Sequence, residues 1–197
     1  GDDVIDGGGD HDLIDGGPGT DDLGGGEGDD EILGGGGVGD TLRGEGGDDL
    51  LRGSNDGGDV IFGGPGRDRA FGNGGNDQIS GGADDDILEG GAGDDVISGD
   101  AGSDLILGGA DHDVIYALNA AGTGADSAVD YAYGDFGTHG NEPGSGRDQI
   151  FGDAGIDYLF GEGNDDLIDD DLAIAGSSLT AIPMLQDVLS THLSEDS

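Results

Sequence analysis

Aspartate returns at one fixed place in a nine-residue frame, sixteen times. The positions are Asp3, Asp12, Asp21, Asp30, Asp40, Asp49, Asp59, Asp68, Asp77, Asp86, Asp95, Asp104, Asp113, Asp148, Asp157 and Asp166. The frame reads G-G-x-G-x-D-x-U-x, with U a large aliphatic residue; Gly25–Leu33 and Gly90–Ser98 show it in full. The chain holds 39 Asp against 7 Glu, so chance alone would put Asp at about one position in five. Sixteen out of sixteen is a constraint. A short carboxylate can fold back into its own turn, whereas Glu is a methylene too long. The glycines allow the left-handed dihedrals that aim backbone carbonyls inward. Carboxylates and carbonyls together are hard oxygen donors, the set that surrounds a hard divalent cation with six to eight ligands.

The same residues make poor catalysts. Acid–base work by two carboxylates needs environments that push their pKa values apart, and repetition makes these equivalent. Neither G-x-S-x-G nor H-E-x-x-H occurs. His11 and His112 follow an Asp and fall at the exposed fifth position, while His139 and His192 stand alone. No catalytic residue and no organic cofactor is assigned, and the chain is read as not being an enzyme.

The elements that position the aspartates follow from the U column. It runs Ile5, Ile14, Leu23, Ile32, Leu42, Leu51, Ile61, Ala70, Ile79, Leu88, Ile97, Ile106 and Ile115, then Ile150, Leu159 and Ile168. Two steps are ten residues long, Ile32 to Leu42 and Leu51 to Ile61, each explained by one extra loop residue. The triplet x-U-x is a minimal strand whose central side chain points opposite to its neighbours. One nonapeptide gives one turn and one strand. Two give a coil of about 18 residues, with parallel strands stacked about 4.8 Å apart. The fold class expected is all-β.

These repeats resemble the RTX, or haemolysin-type, calcium-binding nonapeptides of secreted bacterial proteins, over roughly 1–116 and 144–169. The resemblance implies a right-handed parallel β-roll. It also implies Ca²⁺ between loops i and i+2, held by the position-six Asp of each loop and by backbone carbonyls. One row then carries Asp3, Asp21, Asp40, Asp59, Asp77, Asp95 and Asp113, and the other Asp12, Asp30, Asp49, Asp68, Asp86 and Asp104. With one more site between Asp148 and Asp166, the expectation is roughly ten to twelve Ca²⁺, offsetting about half or more of a formal charge of -41. Such a chain is expected to be unfolded without metal and folded with it. The implied place is outside the cell or on its surface, with a type I secretion apparatus as partner.

Composition narrows the alternatives. Five Arg and no Lys cannot neutralise a nucleic-acid backbone, nor dock on an anionic membrane surface. No apolar run of about 18 residues exists, so no membrane insertion is expected. Cys is absent. The array is already in phase at Gly1, which reads as a monomeric fragment of a larger protein.

The expected division is a first repeat block over 1–116, an irregular insertion or degenerate repeat over 117–143, a second block over 144–171 and a C-terminal cap over 172–197. Within the insertion, Asp130–Gly134 keeps the D-x-U-x-G spacing, and Ala132 lies two nominal repeats before Ile150, with His139 where Asp belongs. Position four should be Gly, but Asp10, Val38, Asp84, Asp111 and Asn164 replace it. Asp and Asn tolerate left-handed geometry; Val38 does not, so its site is the first to discount. Ala70 leaves a thin spot in the core. In the tail, Ile182, Leu185, Val188, Leu189 and Leu193 follow helical spacing. A short helix covering the end of the roll is expected there; a secretion signal is the alternative. Two parents remain open: an adhesin-like surface protein, or an RTX toxin or secreted hydrolase with its catalytic domain upstream.

Overall fold

The computed structural model describes residues 1–117, 129–135, 146–152, 157–161 and 166–169. All regular structure among them is strand. Successive U-centred strands alternate between two parallel sheets and wind a β-solenoid of about eight turns. The nine-stranded sheet runs Val4–Gly9, Asp22–Glu27, Thr41–Gly46, Val60–Pro65, Gln78–Ala83, Val96–Ala101, Val114–Tyr116, Gln149–Phe151 and Leu167–Asp169. The eight-stranded sheet runs Leu13–Asp15, Glu31–Leu33, Leu50–Arg52, Arg69–Gly74, Ile87–Ala92, Leu105–Ala110, Tyr131–Tyr133 and Tyr158–Phe160. Pro18–Gly19 pairs separately with Gly36–Gly37.

Register follows the period. Ile79 pairs with Ile61 and Ile97, and Leu88 with Ala70 and Ile106. Pairing also extends past the triplet: Gly82 meets Gly64 and Asp100. The first Gly of each loop turns the corner, and positions two and three then pair with the coil alongside. The strands therefore reach six residues where the triplet alone predicts three. U side chains from both sheets meet in one interior column, fully buried from Leu23 to Ile150 except at Ile79, which is nearly so. Ala70 is buried in that column between Leu51 and Leu88. Ile5 and Leu159 are only partly buried and Ile168 is 39% exposed, because the end coils have one described neighbour each.

The interruption differs from the sequence expectation in phase. Ala132 pairs with Ile106 and Leu159 in the eight-stranded sheet, while Ile150 pairs with Ile115 and Ile168 in the other. The two residues are consecutive half-turns, not members of one sheet. Eighteen residues of chain thus cover a step that nine cover elsewhere, and the strands on either side keep their register. His139 and the helix expected in the tail lie outside the described residues.

The outward faces differ. In the eight-stranded sheet one outward row reads Arg69, Ile87, Leu105, Tyr131, Tyr158, and the other Phe71, Glu89, Leu107, Tyr133, Phe160. In the nine-stranded sheet the corresponding rows include Gln78, Val96, Val114, Gln149 and Ser80, Ser98, Tyr116, Phe151.

Candidate metal centre

Each loop has to leave one sheet and enter the other within six residues. Positions two and four do so at positive φ: Gly26 at 110°, Gly28 at 123°, Gly91 at 116° and Gly93 at 126°. Where these positions are not Gly, Asp or Asn usually takes the strain: Asp10 (79°), Asp84 (76°) and Asp111 (79°) at position four, Asn73 (74°) and Asp100 (74°) at position two. Glu45 at 74° is the exception by residue type. Val38 avoids the left-handed region; Gly39 adopts φ 75° instead, and the Val38 carbonyl accepts the Thr20 hydroxyl at 2.7 Å.

With the turn set, the position-six carboxylates line up inside. Asp21, Asp30, Asp40, Asp49, Asp59, Asp68, Asp77, Asp86, Asp95, Asp104, Asp113 and Asp148 are all no more than 3% exposed. Asp12, Asp157 and Asp166 are half-buried and Asp3 is exposed. The backbone N–H of each position-six Asp donates to Oδ1 of the same residue one coil on: Asp77 to Asp95 at 2.8 Å, Asp95 to Asp113 at 3.0 Å, Asp113 to Asp148 at 2.9 Å, Asp148 to Asp166 at 3.1 Å. The two rows expected from the sequence are both present. The first is prolonged through Asp148 and Asp166. The second continues from Asp104 to Asp130 at 2.8 Å and from Asp130 to Asp157 at 3.3 Å. Asp130 was absent from the sequence-derived set; its D-x-U-x-G spacing was the available signal. Asp135, also buried, accepts the Gly146 N–H at 3.1 Å.

The second carboxylate oxygen is the chemical anomaly. Oδ2 of Asp12, Asp21, Asp30, Asp40, Asp49, Asp68, Asp77, Asp86, Asp95, Asp113 and Asp148 is buried with no hydrogen-bond partner. Asp59 differs, because in its lengthened loop the Ser54 N–H donates to Oδ2 at 2.6 Å. A buried anionic oxygen without a donor is costly. Burial accordingly pushes eight of these groups upward: Asp49, Asp77 and Asp148 to about 6, Asp68, Asp86 and Asp95 to about 7, Asp113 to about 8, with Asp40 raised as well. Neighbouring carboxylates of the same row push in the same direction, and the Oδ1 hydrogen bonds only partly oppose them.

The surroundings are oxygen-rich. A Cβ built on Gly16 would lie 2.7 Å from Asp21 Oδ2 and 2.8 Å from the Gly34 carbonyl; on Gly7 it would lie 2.6 Å from both Asp12 Oδ2 and the Gly25 carbonyl. The carbonyls of positions two and four face the next coil in the same way, Gly8 towards Gly26 and Asp10 towards Gly28. At position one a side chain would collide with these oxygens, and the space that glycine leaves is lined by them. Among the described residues no three carboxylate or imidazole groups come together. A cation on either edge would therefore be held by one or two aspartates and by carbonyls. That donor set fits calcium, which accepts backbone carbonyls readily, and fits a dication that neutralises the orphaned Oδ2. Arginine does not reach these oxygens: Arg43 pairs with Asp22, and Arg67 with Asp48 at 2.7 Å, both on the outside.

Position five builds a second, exposed ladder of opposite direction. The Asp48 N–H donates back to Asp29 Oδ1 at 3.0 Å, Arg67 N–H to Asp48 Oδ1 at 3.0 Å, and His112 N–H to Asp94 Oδ1 at 3.0 Å. His11 and His112 serve as acceptors through Nδ1, from Asp29 N–H at 2.9 Å and Arg147 N–H at 2.7 Å. Both histidines are thus members of this outer ladder, at the exposed position expected of them.

The family model for the RTX calcium-binding nonapeptide repeat matches the chain in four copies, at 1–23, 54–88, 80–115 and 143–169. Among curated proteins, none matches. The matched segments cover more than half of the sequence and fall on coils of the buried aspartate rows, which also run on through Asp30, Asp40 and Asp49 between the first two: the chain belongs to the RTX calcium-binding nonapeptide repeat family.

Proposed function

We propose that this chain is a calcium-driven folding module, a non-catalytic structural element that stays expanded inside the cell and winds into its solenoid outside it. The observation that carries this is the buried row of Oδ2 atoms without donors. A row of inward carboxylates is tolerable only when a dication or a proton neutralises it, and a folded state that needs calcium is populated only where calcium is plentiful. Extracellular modules bind it at roughly 0.1–1 mM. RTX repeat proteins are generally exported by type I secretion, and an expanded chain suits passage through such an apparatus. The parent is read as a surface protein of adhesin type, the alternative being a toxin or secreted hydrolase.

Both rows together offer more inter-coil gaps than the ten to twelve ions expected from sequence. Asp113–Asp148, Asp104–Asp130 and Asp130–Asp157 add three. The gap between Asp21 and Asp40 beside Val38 is the first to be discounted, although its 2.8 Å link persists. The test is far-UV circular dichroism of metal-free chain titrated with Ca²⁺, with Mg²⁺ as control. A cooperative coil-to-β transition with Ca²⁺ alone supports the reading. β-structure already complete in chelator would sink it.

A further inference from the structure

The eight-stranded sheet presents outward the longer apolar and aromatic run; on the nine-stranded sheet exposed Phe62 and Val96 and the Tyr116–Phe151 stack at 5.2 Å are interspersed with Ser80, Ser98, Gln78 and Gln149. Ile87 (36%), Tyr131 (43%), Tyr158 (45%) and Phe160 (39%) are exposed on the eight-stranded face. The rings stack along the ladder, Tyr131 on Tyr158 at 4.9 Å and Tyr133 on Phe160 at 4.8 Å, nearly parallel. Their faces cover one another, so they stand as two ribs, edge outward, with no flat platform for a sugar ring. At the far end, the guanidiniums of Arg52 and Arg69 sit 5.5 and 5.9 Å from the Phe71 ring. Neither pairs with a carboxylate among the described residues, in a chain with 46 acids. Apolar, aromatic and arginine-bearing surface is the composition of an interface core.

We propose that the chain's own C-terminal segment, from Ile182 to Asp196, docks along this face as an amphipathic helix. The segment's apolar stripe is Ile182, Leu185, Leu189 and Leu193, and Asp196 is the next residue on that stripe. It contains acids and no Lys or Arg, which complements the two arginines. The lengths agree. The fourteen helical rises from Ile182 to Asp196 span about 21 Å, and the four strand steps from Tyr158 to Arg69 span about 19 Å. A helix that starts beside Tyr158 therefore brings Leu189 over Leu105 and Leu107 and Asp196 to Arg69. Residues 170–181 can reach up to about 40 Å from the last strand, ample for the start.

The chain has no cysteine, so engineered pairs report position cleanly. Three double variants of the calcium-loaded full chain are oxidised at low concentration: Leu189→Cys with Leu107→Cys on this face, with Val96→Cys on the other sheet, and with Leu167→Cys at the end of the roll. The first pair is expected to close an intramolecular disulfide at least about tenfold faster than either other, as a docked segment has the higher effective concentration. Arg69→Glu should slow that closure. Hydrogen exchange should show protected amides over 182–193 in the parent, lost in Leu107→Asp while the circular dichroism is unchanged. Fastest closure with Leu167→Cys would mean an end cap, concentration-dependent dimers would mean a second copy, and equal rates would mean no docking. Each of these overturns the proposal.

Discussion

Positions five and six of a loop are adjacent in the chain and lie in different physical worlds. Asp48 is exposed, and the Arg67 backbone and side chain hold its carboxyl below the ordinary value. Asp49, next to it, is buried, and its carboxyl is pushed up to about 6. Both accept one backbone N–H from a neighbouring coil, in opposite directions: Asp48 from Arg67 on the next coil, Asp49 from Asp30 on the coil before. What separates them is the second oxygen. Asp48 Oδ2 has Arg67 at 2.7 Å, and Asp49 Oδ2 has nothing. Acidity of composition therefore does not make a calcium module; the turn that rotates one of two neighbouring carboxylates inward does.

The largest test of that difference is pH, applied without metal. Seven of the inner aspartates, Asp49, Asp68, Asp77, Asp86, Asp95, Asp113 and Asp148, have folded-state values near 6 to 8, against 3.8 for the ordinary group. A raised pKa means that the charged form is penalised in the fold. The penalty is complete above about pH 8, shrinks as the folded chain takes up protons, and disappears below the ordinary value, where the unfolded chain is protonated too. Metal-free chain is thus expected to gain β-structure as pH falls from 8 towards 5. Calcium-loaded chain should behave oppositely, since protons compete for the same oxygens. Circular dichroism in both states checks it, stopping above the isoelectric point of about 4.1 to avoid precipitation. Metal-free chain that loses structure on acidification would show that the inner row does not govern folding.

Asp95→Asn against Asp94→Asn brings the comparison down to one loop. Asp95 links to Asp77 on one side and Asp113 on the other, so it serves two gaps. Removing its charge should cost about 3 kcal/mol of calcium-dependent stability, if each site contributes about 1.4 kcal/mol at ten times its dissociation constant. Asp94→Asn, on the exposed ladder, should leave the calcium midpoint unchanged within about twofold. Equal effects would erase the distinction between the rows.

How much of this was legible in the sequence depends on which link is asked about. Period nine located the inner aspartates of the regular coils and the U column, because every coil repeats one local solution and a repeat is visible wherever it is strict. Asp130 was missed as a row member because the residues on either side of its coil break the count, while the strand itself survives on three residues, Tyr131–Tyr133, that pair with both neighbours. The phase of Ala132 was misread for the same reason: sequence spacing counts residues, and the solenoid counts strands. Position two was also opaque. Glu45 occupies a left-handed site that residue type alone would assign to Gly, Asn or Asp.

Glycine at position one gives the third test. A Cβ on Gly90 would run into Asp95 Oδ2 and come within 2.6 Å of the Gly108 carbonyl, so Gly90→Ala should cost about 1–3 kcal/mol by overpacking. Gly9, at position three, has its nearest neighbour 3.8 Å from the same point, and Gly9→Ala should be neutral within about 0.5 kcal/mol. Thermal melts at saturating calcium compare the two. A harmless Gly90→Ala would mean that the oxygen-lined space at the corner is not needed.

The smallest expected effect falls within the inner row itself. Asp59 is as buried as Asp95, and its Oδ1 accepts the Asp40 N–H at 2.7 Å like any other member. In its loop the Ser54 N–H donates to Oδ2 at 2.6 Å, a donor that Asp40 lacks although its loop is equally long. A carboxylate with both oxygens already engaged has less to gain from a cation, because the dication would have to displace or share a made hydrogen bond. Asp59→Asn should therefore cost about half of what Asp95→Asn does, about 1.4 kcal/mol, the equivalent of one site. Deleting one residue from Ser54–Gly58 restores the nine-residue step and should remove the donor, raising the cost of Asp59→Asn to that of Asp95→Asn. Calcium-dependent melts of the two single variants and the shortened loop decide it. If Asp59→Asn already equals Asp95→Asn in the parent, burial alone sets the strength of a site, and the free second oxygen is not what calcium answers.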